Sequence, residues 1–235
     1  MKENIESKTE LLEGIHHKGF LLDLIIYITV MFLVREIYMP KMGFIANGLF
    51  WSITTLVVAT WRMRIRGVSW KDLGLHKPTY FGKTVGISIL ILATIMISII
   101  TFEIIKDHLP FFLAPDTSEN ASSKFGDLKG NWTHFFLIIP FIWIESILEE
   151  MLDRGFLINW LERLFSGTSF ATIIAVILQA VIFGFRHSYD LSERSITVGI
   201  IGLIMGIAYI KFGRNLWPLI IAHCLLNTFS MLGRV

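Results

Sequence analysis

Charge is scarce in this chain. Of its 235 residues only 17% are Asp, Glu, Lys or Arg, against 54% hydrophobic. Its mean hydropathy of +0.63 is a value that a water-soluble domain around a single core rarely reaches, so the chain reads as a polytopic membrane protein. Cysteine is scarcer still. Cys224 stands alone, which excludes an intrachain disulfide, a CxxC redox pair and a cysteine-based zinc finger. No basic tract marks a nucleic-acid partner, and no H-E-x-x-H offers the usual zinc-protease helix. An internal repeat of the kind that underlies a transporter's inverted halves is also missing. The first eighteen residues, ending His16-His17-Lys18, are polar, and the apolar run that follows lacks a small-residue cleavage signature. They are expected to be a retained cytoplasmic lead-in.

What the chain does have is apolar length. A bilayer core of about 30 Å needs roughly 20 apolar helical residues. Runs near that size span residues 20–39, 44–61, 81–105, 132–164, 170–186, 196–212 and 216–231. The expected fold is therefore an all-α transmembrane bundle of about seven spans. Its expected divisions are a polar segment (1–18), N-terminal helices and loops (19–131) and a core of the last four spans (132–235). Pro40 with Gly43 closes the first hairpin, and the longest polar loop runs through Pro110 and Pro115 to Gly130. The loop after the second run carries Arg62, Arg64, Arg66, Lys71, Lys77 and Lys83 against Asp72 alone. By the positive-inside rule that loop, and hence the N-terminus, is cytoplasmic.

The run 132–164 is too long for one upright span, and it carries Glu145, Glu149, Glu150, Asp153 and Arg154. A charged side chain in a bilayer costs roughly 2.5–3.5 kcal/mol on insertion scales, so acids placed there are candidates for function. Glu150 and Arg154 are four residues apart and share a helical face, which suits an ion pair. Glu149 points about 100° away and is left for other work. Glu145 stacks one turn before it. If this helix stopped at the glutamates they would sit at the cytoplasmic edge, at a different depth from His187 at the end of the next run. Helix continuing past Glu150 is therefore expected, with Pro140 permitting a kink.

His187 follows Phe183 by one turn, and Arg186 beside it would also suit a plain interfacial position. His223 lies well inside the last run with Asn227 one turn on, and each needs a partner in hydrocarbon. Bridging contacts between helices would satisfy them equally well. Together, carboxylates, two imidazoles and an amide on three helices are the parts needed to activate a water and steady an oxyanion. The same Glu149, His187 and His223 could instead hold zinc or another divalent metal.

Three motifs carry a resemblance: Glu149-Glu150-Met151-Leu152-Asp153-Arg154, Phe183-Gly184-Phe185-Arg186-His187 and His223-Cys224-Leu225-Leu226-Asn227. In this order they resemble the CPBP intramembrane proteases, the group of type II CAAX prenyl endopeptidases and bacteriocin-processing or immunity (Abi) proteins. Gly155, the Gly202 and Gly206 pair and Leu216-Trp217-Pro218 are supporting echoes, and the resemblance covers about 140–227. It implies that Glu149 activates water with His187, that Glu150 and Arg154 orient the site, and that His223 and Asn227 support it as oxyanion donors or, for His223, as a metal ligand. Both metal-dependent and metal-free glutamate mechanisms are proposed for the group. Two positions depart from its pattern: Asp153 stands where an aromatic is usual and could compete for Arg154, and Arg186 stands where a small residue is usual and could compete for Glu149.

The expected activity is endoproteolysis of a membrane-anchored peptide or protein within the lipid bilayer, prenylated or akin to a bacteriocin or pheromone, in a bacterial plasma membrane. Two other functions fit the same residues: a catalytically weak immunity or interaction protein, and a proton-coupled transporter.

Overall fold

The computed structural model describes residues 2–108 and 124–235, with side chains from residue 17 onward. The expected loop through Pro110 and Pro115 falls largely outside the described residues. Among those described, regular structure is helical throughout: α1 (Lys2–Leu33), α2 (Gly43–Ile65), α3 (Phe81–Ile105), α4 (Trp132–Glu149), α5 (Asn159–Leu164), α6 (Ala171–Ser188), α7 (Glu193–Lys211) and α8 (Trp217–Leu232). The all-α bundle expected from hydropathy is present.

Five helical segments are long and apolar enough to cross a membrane: His17–Glu36, Pro40–Ile65, Phe81–His108, Ala171–Ser188 and Glu193–Lys211. The other two of the seven expected runs differ in kind. Trp217–Leu232 has 16 residues, about 24 Å at the helical rise, which is shorter than a typical hydrocarbon core. Helix α4 carries the acids and does not end at them. Glu149 (φ −62°, ψ −44°) and Glu150 (φ −63°, ψ −38°) are both helical. The chain continues as a π-helix over Glu150–Ile158 and then as α5. All nine residues of the π segment are buried. The helix thus passes through the protein interior before the turn into α6, and comparable lengths of helix on either side of that turn bring Glu149 and His187 to one depth. That removes the mismatch in depth that a helix ending at Glu150 would have left.

Local chemistry sets the ends. Asn131 caps α4 by accepting from the His134 amide at 3.0 Å, and Ser192 caps α7 by accepting from the Ser195 amide at 3.5 Å. Tyr189 at φ 59° turns the chain out of α6. The main core surrounds the π segment. Phe156 stacks on Trp160 with ring centroids 4.3 Å apart, and Tyr27 of α1 packs on Phe156 at 4.7 Å. Outward positions such as Ile97, Ile104, Phe136 and Val181 are largely exposed apolar residues, as lipid contact requires.

Helices α6 and α7 approach through glycine. A Cβ on Gly184 would lie 2.5 Å from the Ser195 carbonyl oxygen and 3.0 Å from the Gly199 backbone. Small residues at such a contact let two backbones close on each other in a membrane, where hydrophobic association supplies no drive. This contact fixes the end of α6, and therefore His187.

Candidate functional site

The site is built around two neighbouring carboxylates with opposite surroundings. Glu150 opens the π segment and is fully buried. Its Oε1 accepts from Arg154 Nη1 at 3.0 Å and from His223 Nδ1 at 2.7 Å. The four-residue spacing seen in sequence does pair Glu150 with Arg154, now on a π turn, and Arg154 also lies 4.3 Å over the Phe183 ring. A buried carboxylate holding two donors is a fixed structural group, since its charge is compensated where it stands.

Glu149 looks the other way, into a cavity of about 520 Å³ that His187, Arg186, His223, Asn227 and Glu145 also line. Its Oε1 lies 3.6 Å from His187 Nε2 and its Oε2 lies 3.7 Å from His223 Nε2. These gaps exceed a direct hydrogen bond, and one bridging water would span either of them. Each imidazole is anchored through its other nitrogen. His187 Nδ1 donates to the Phe183 carbonyl at 2.7 Å, and Phe183 walls the ring at 4.6 Å between centroids. His223 Nδ1 donates to Glu150. In both rings the Nε2 edge is therefore turned towards Glu149.

Asn227, one turn beyond His223, donates from Nδ2 to Ser146 Oγ at 2.9 Å, and Ser146 donates to the Ile142 carbonyl at 2.9 Å. Glu145 accepts from Ser52 of α2. The residues singled out in the three motifs thus converge from α4, the π segment, α6 and α8.

The two unexpected charges meet each other. Asp153 does not take Arg154, which stays with Glu150. Asp153 Oδ2 instead accepts from Arg186 Nη2 at 2.8 Å, and the same Nη2 lies 3.4 Å from Glu149 Oε1. Competition of Arg186 for Glu149 is therefore real but weak, while Arg154 makes its hydrogen bond to Glu150 and not to Asp153. Residues with no signal in the sequence complete the wall: Met31, Arg35, Trp51 and Ser52 of the N-terminal helices line the cavity, and Arg35 Nη1 donates to the Arg186 carbonyl at 2.7 Å.

Among the described residues no group of three or more His, Cys, Asp or Glu side chains is arranged to hold an ion. The two Nε2 atoms address different oxygens of Glu149, and the Arg186 guanidinium already supplies a positive charge on Oε1. As placed, Glu149, His187 and His223 are not gathered as the ligands of one ion.

Residues 131–229 match the family described as Type II CAAX prenyl endopeptidase Rce1-like. That stretch holds α4, the π segment and helices α5 to α8 nearly in full, with every motif residue named above, and it supports the resemblance to the CPBP and CAAX proteases. No curated protein and no solved structure matches the chain.

Proposed function

With that family match as premise, which implies a membrane protease, we propose that the chain is an intramembrane endopeptidase that cleaves a peptide bond of a membrane-associated substrate by carboxylate-activated water. The observation that carries this reading is the Glu149 carboxylate facing two imidazole Nε2 edges across 3.6 and 3.7 Å in a cavity. A water held between Glu149 Oε1 and His187 Nε2 loses a proton to the carboxylate as its oxygen attacks the scissile carbonyl. Opposite them stand His223, aligned by Glu150, and the Asn227 amide. Protonated at Nε2, His223 would donate to the oxyanion, with Asn227 as the second donor. The leaving amine takes back the proton stored on Glu149.

The substrate class follows from the surroundings: a segment reaching a site within the bundle must itself be membrane-anchored, by a lipid chain or an apolar helix. By the positive-inside distribution of Lys and Arg, the N-terminus lies on the cytoplasmic side of the plasma membrane. Purified protein in detergent, incubated with a panel of prenylated and unprenylated membrane peptides, should cleave at least one of them. Glu149→Gln should lose roughly a hundredfold to ten-thousandfold of that rate. The same assay run with a strong chelator and with zinc added back tests the mechanism: cleavage that survives chelation supports the glutamate route, and loss with zinc rescue overturns it. Binding of a peptide without cleavage would favour the interaction-protein reading instead.

A further inference from the structure

We propose that Asp153 and Arg186 form a positioning pair that sets how closely a cation approaches Glu149, a role that rests on the peptidase reading of the same site. Both side chains are buried, Asp153 completely, and they come from different elements, the π segment and α6. One guanidinium nitrogen, Arg186 Nη2, is shared unequally between two carboxylates, 2.8 Å to Asp153 Oδ2 and 3.4 Å to Glu149 Oε1. The rest of Arg186 is held as well. Its Nη1 points at Met31 Sδ at 3.7 Å, its carbonyl accepts from Arg35, and its guanidinium lies 5.4 Å from the Phe183 ring centre.

This geometry has a physical consequence. Coulomb attraction draws Arg186 towards both anions, and at close range in a low-dielectric site even half an ångström matters. Asp153 wins the near position and keeps the guanidinium at arm's length from Glu149. Glu149 is thereby oriented by a cation without being locked into a full salt bridge, which leaves Oε1 open towards His187. A carboxylate closed on arginine would be a poor proton acceptor, and one with no cation nearby would be free to swing away from the imidazoles. Asp153 and Arg186 act through Glu149 and touch no reacting atom. Their chemistry is a tether and a guide.

The test uses two readouts on the full-length protein. The first is the rate of carbodiimide labelling of Glu149, mapped by mass spectrometry with the exposed Glu36 as internal reference, since a carboxylate held by a cation resists labelling. Arg186→Gln should label Glu149 about fivefold faster, and Asp153→Asn, which lets Arg186 close on Glu149, about fivefold slower. The double variant should behave like Arg186→Gln. A pair that merely braces the fold would loosen the site in both single variants and speed both, so shifts in the same direction overturn the proposal, as does no shift in either. The second readout is cleavage. Each single variant should lose about tenfold or more in kcat with KM little changed, and Arg186→Lys, which keeps the charge but not the fork, should recover part of that loss if Arg186→Gln proves too unstable to measure. If the wild type cleaves nothing while the labelling moves in opposite directions, the peptidase reading falls and the positioning pair stands.

Discussion

Glu149 and Glu150 are adjacent, yet substitution should separate their roles. Glu149 faces a cavity, so Glu149→Gln should slow cleavage by that hundredfold or more while the melting temperature in detergent stays near wild type. Glu150→Gln removes the charge that compensates Arg154, which is fully buried. Leaving that cation uncompensated should destabilise the protein by roughly 3–5 kcal/mol, readable as a lowered melting temperature before any assay of activity. His187→Ala should resemble Glu149→Gln, because its ring is 23% exposed at the side chain and ends its helix. At this scale the sequence told much. The Glu150 and Arg154 pair follows from helical spacing alone. The Asp153 and Arg186 contact does not, because 33 positions separate the two residues and no periodicity links one helix's face to another's.

Among the elements, the contact between α6 and α7 decides where His187 stands. Gly184→Ala would drive a methyl into the Ser195 carbonyl and the Gly199 backbone, which cannot yield as a flexible side chain would. It should lower the melting temperature and the cleavage rate together. Gly199→Ala is the control, since its Cβ would meet its nearest neighbours at 3.7 and 4.0 Å, ordinary contact distances. Comparing the two by thermal melting and by cleavage checks that close approach, rather than glycine itself, matters. The helices were legible as apolar runs, because hydrophobic length needs no tertiary information. Continuation beyond Glu150 was legible only through the conflict of depths between Glu149 and His187. Its π form was not, since hydrogen bonds to the fifth residue leave no mark in composition.

Across the whole molecule, one buried acid ties three helical elements together, two from the N-terminal part and one from the site-bearing part. Asp23 of α1 accepts from Arg62 Nε and Arg66 Nε of the α2 end, both at 2.8 Å, and from Trp160 Nε1 of α5 at 3.1 Å. Asp23→Asn should therefore destabilise the assembly of all three elements by about 3–5 kcal/mol, measured as loss of monodisperse protein on heating in detergent. This contact was not legible in the sequence, because Asp23 gives no sign of its partners within its own helix. The π segment between these parts has a further consequence. It stores spare chain inside a continuous rod, so that losing one residue between Glu150 and Ile158 would let ordinary α-turns form at the same two ends. The stretch would then act like a screw turned by one thread, rotating Asp153 and Arg154 by roughly 100° against α6. Length changes there would redirect the acids while leaving the span intact.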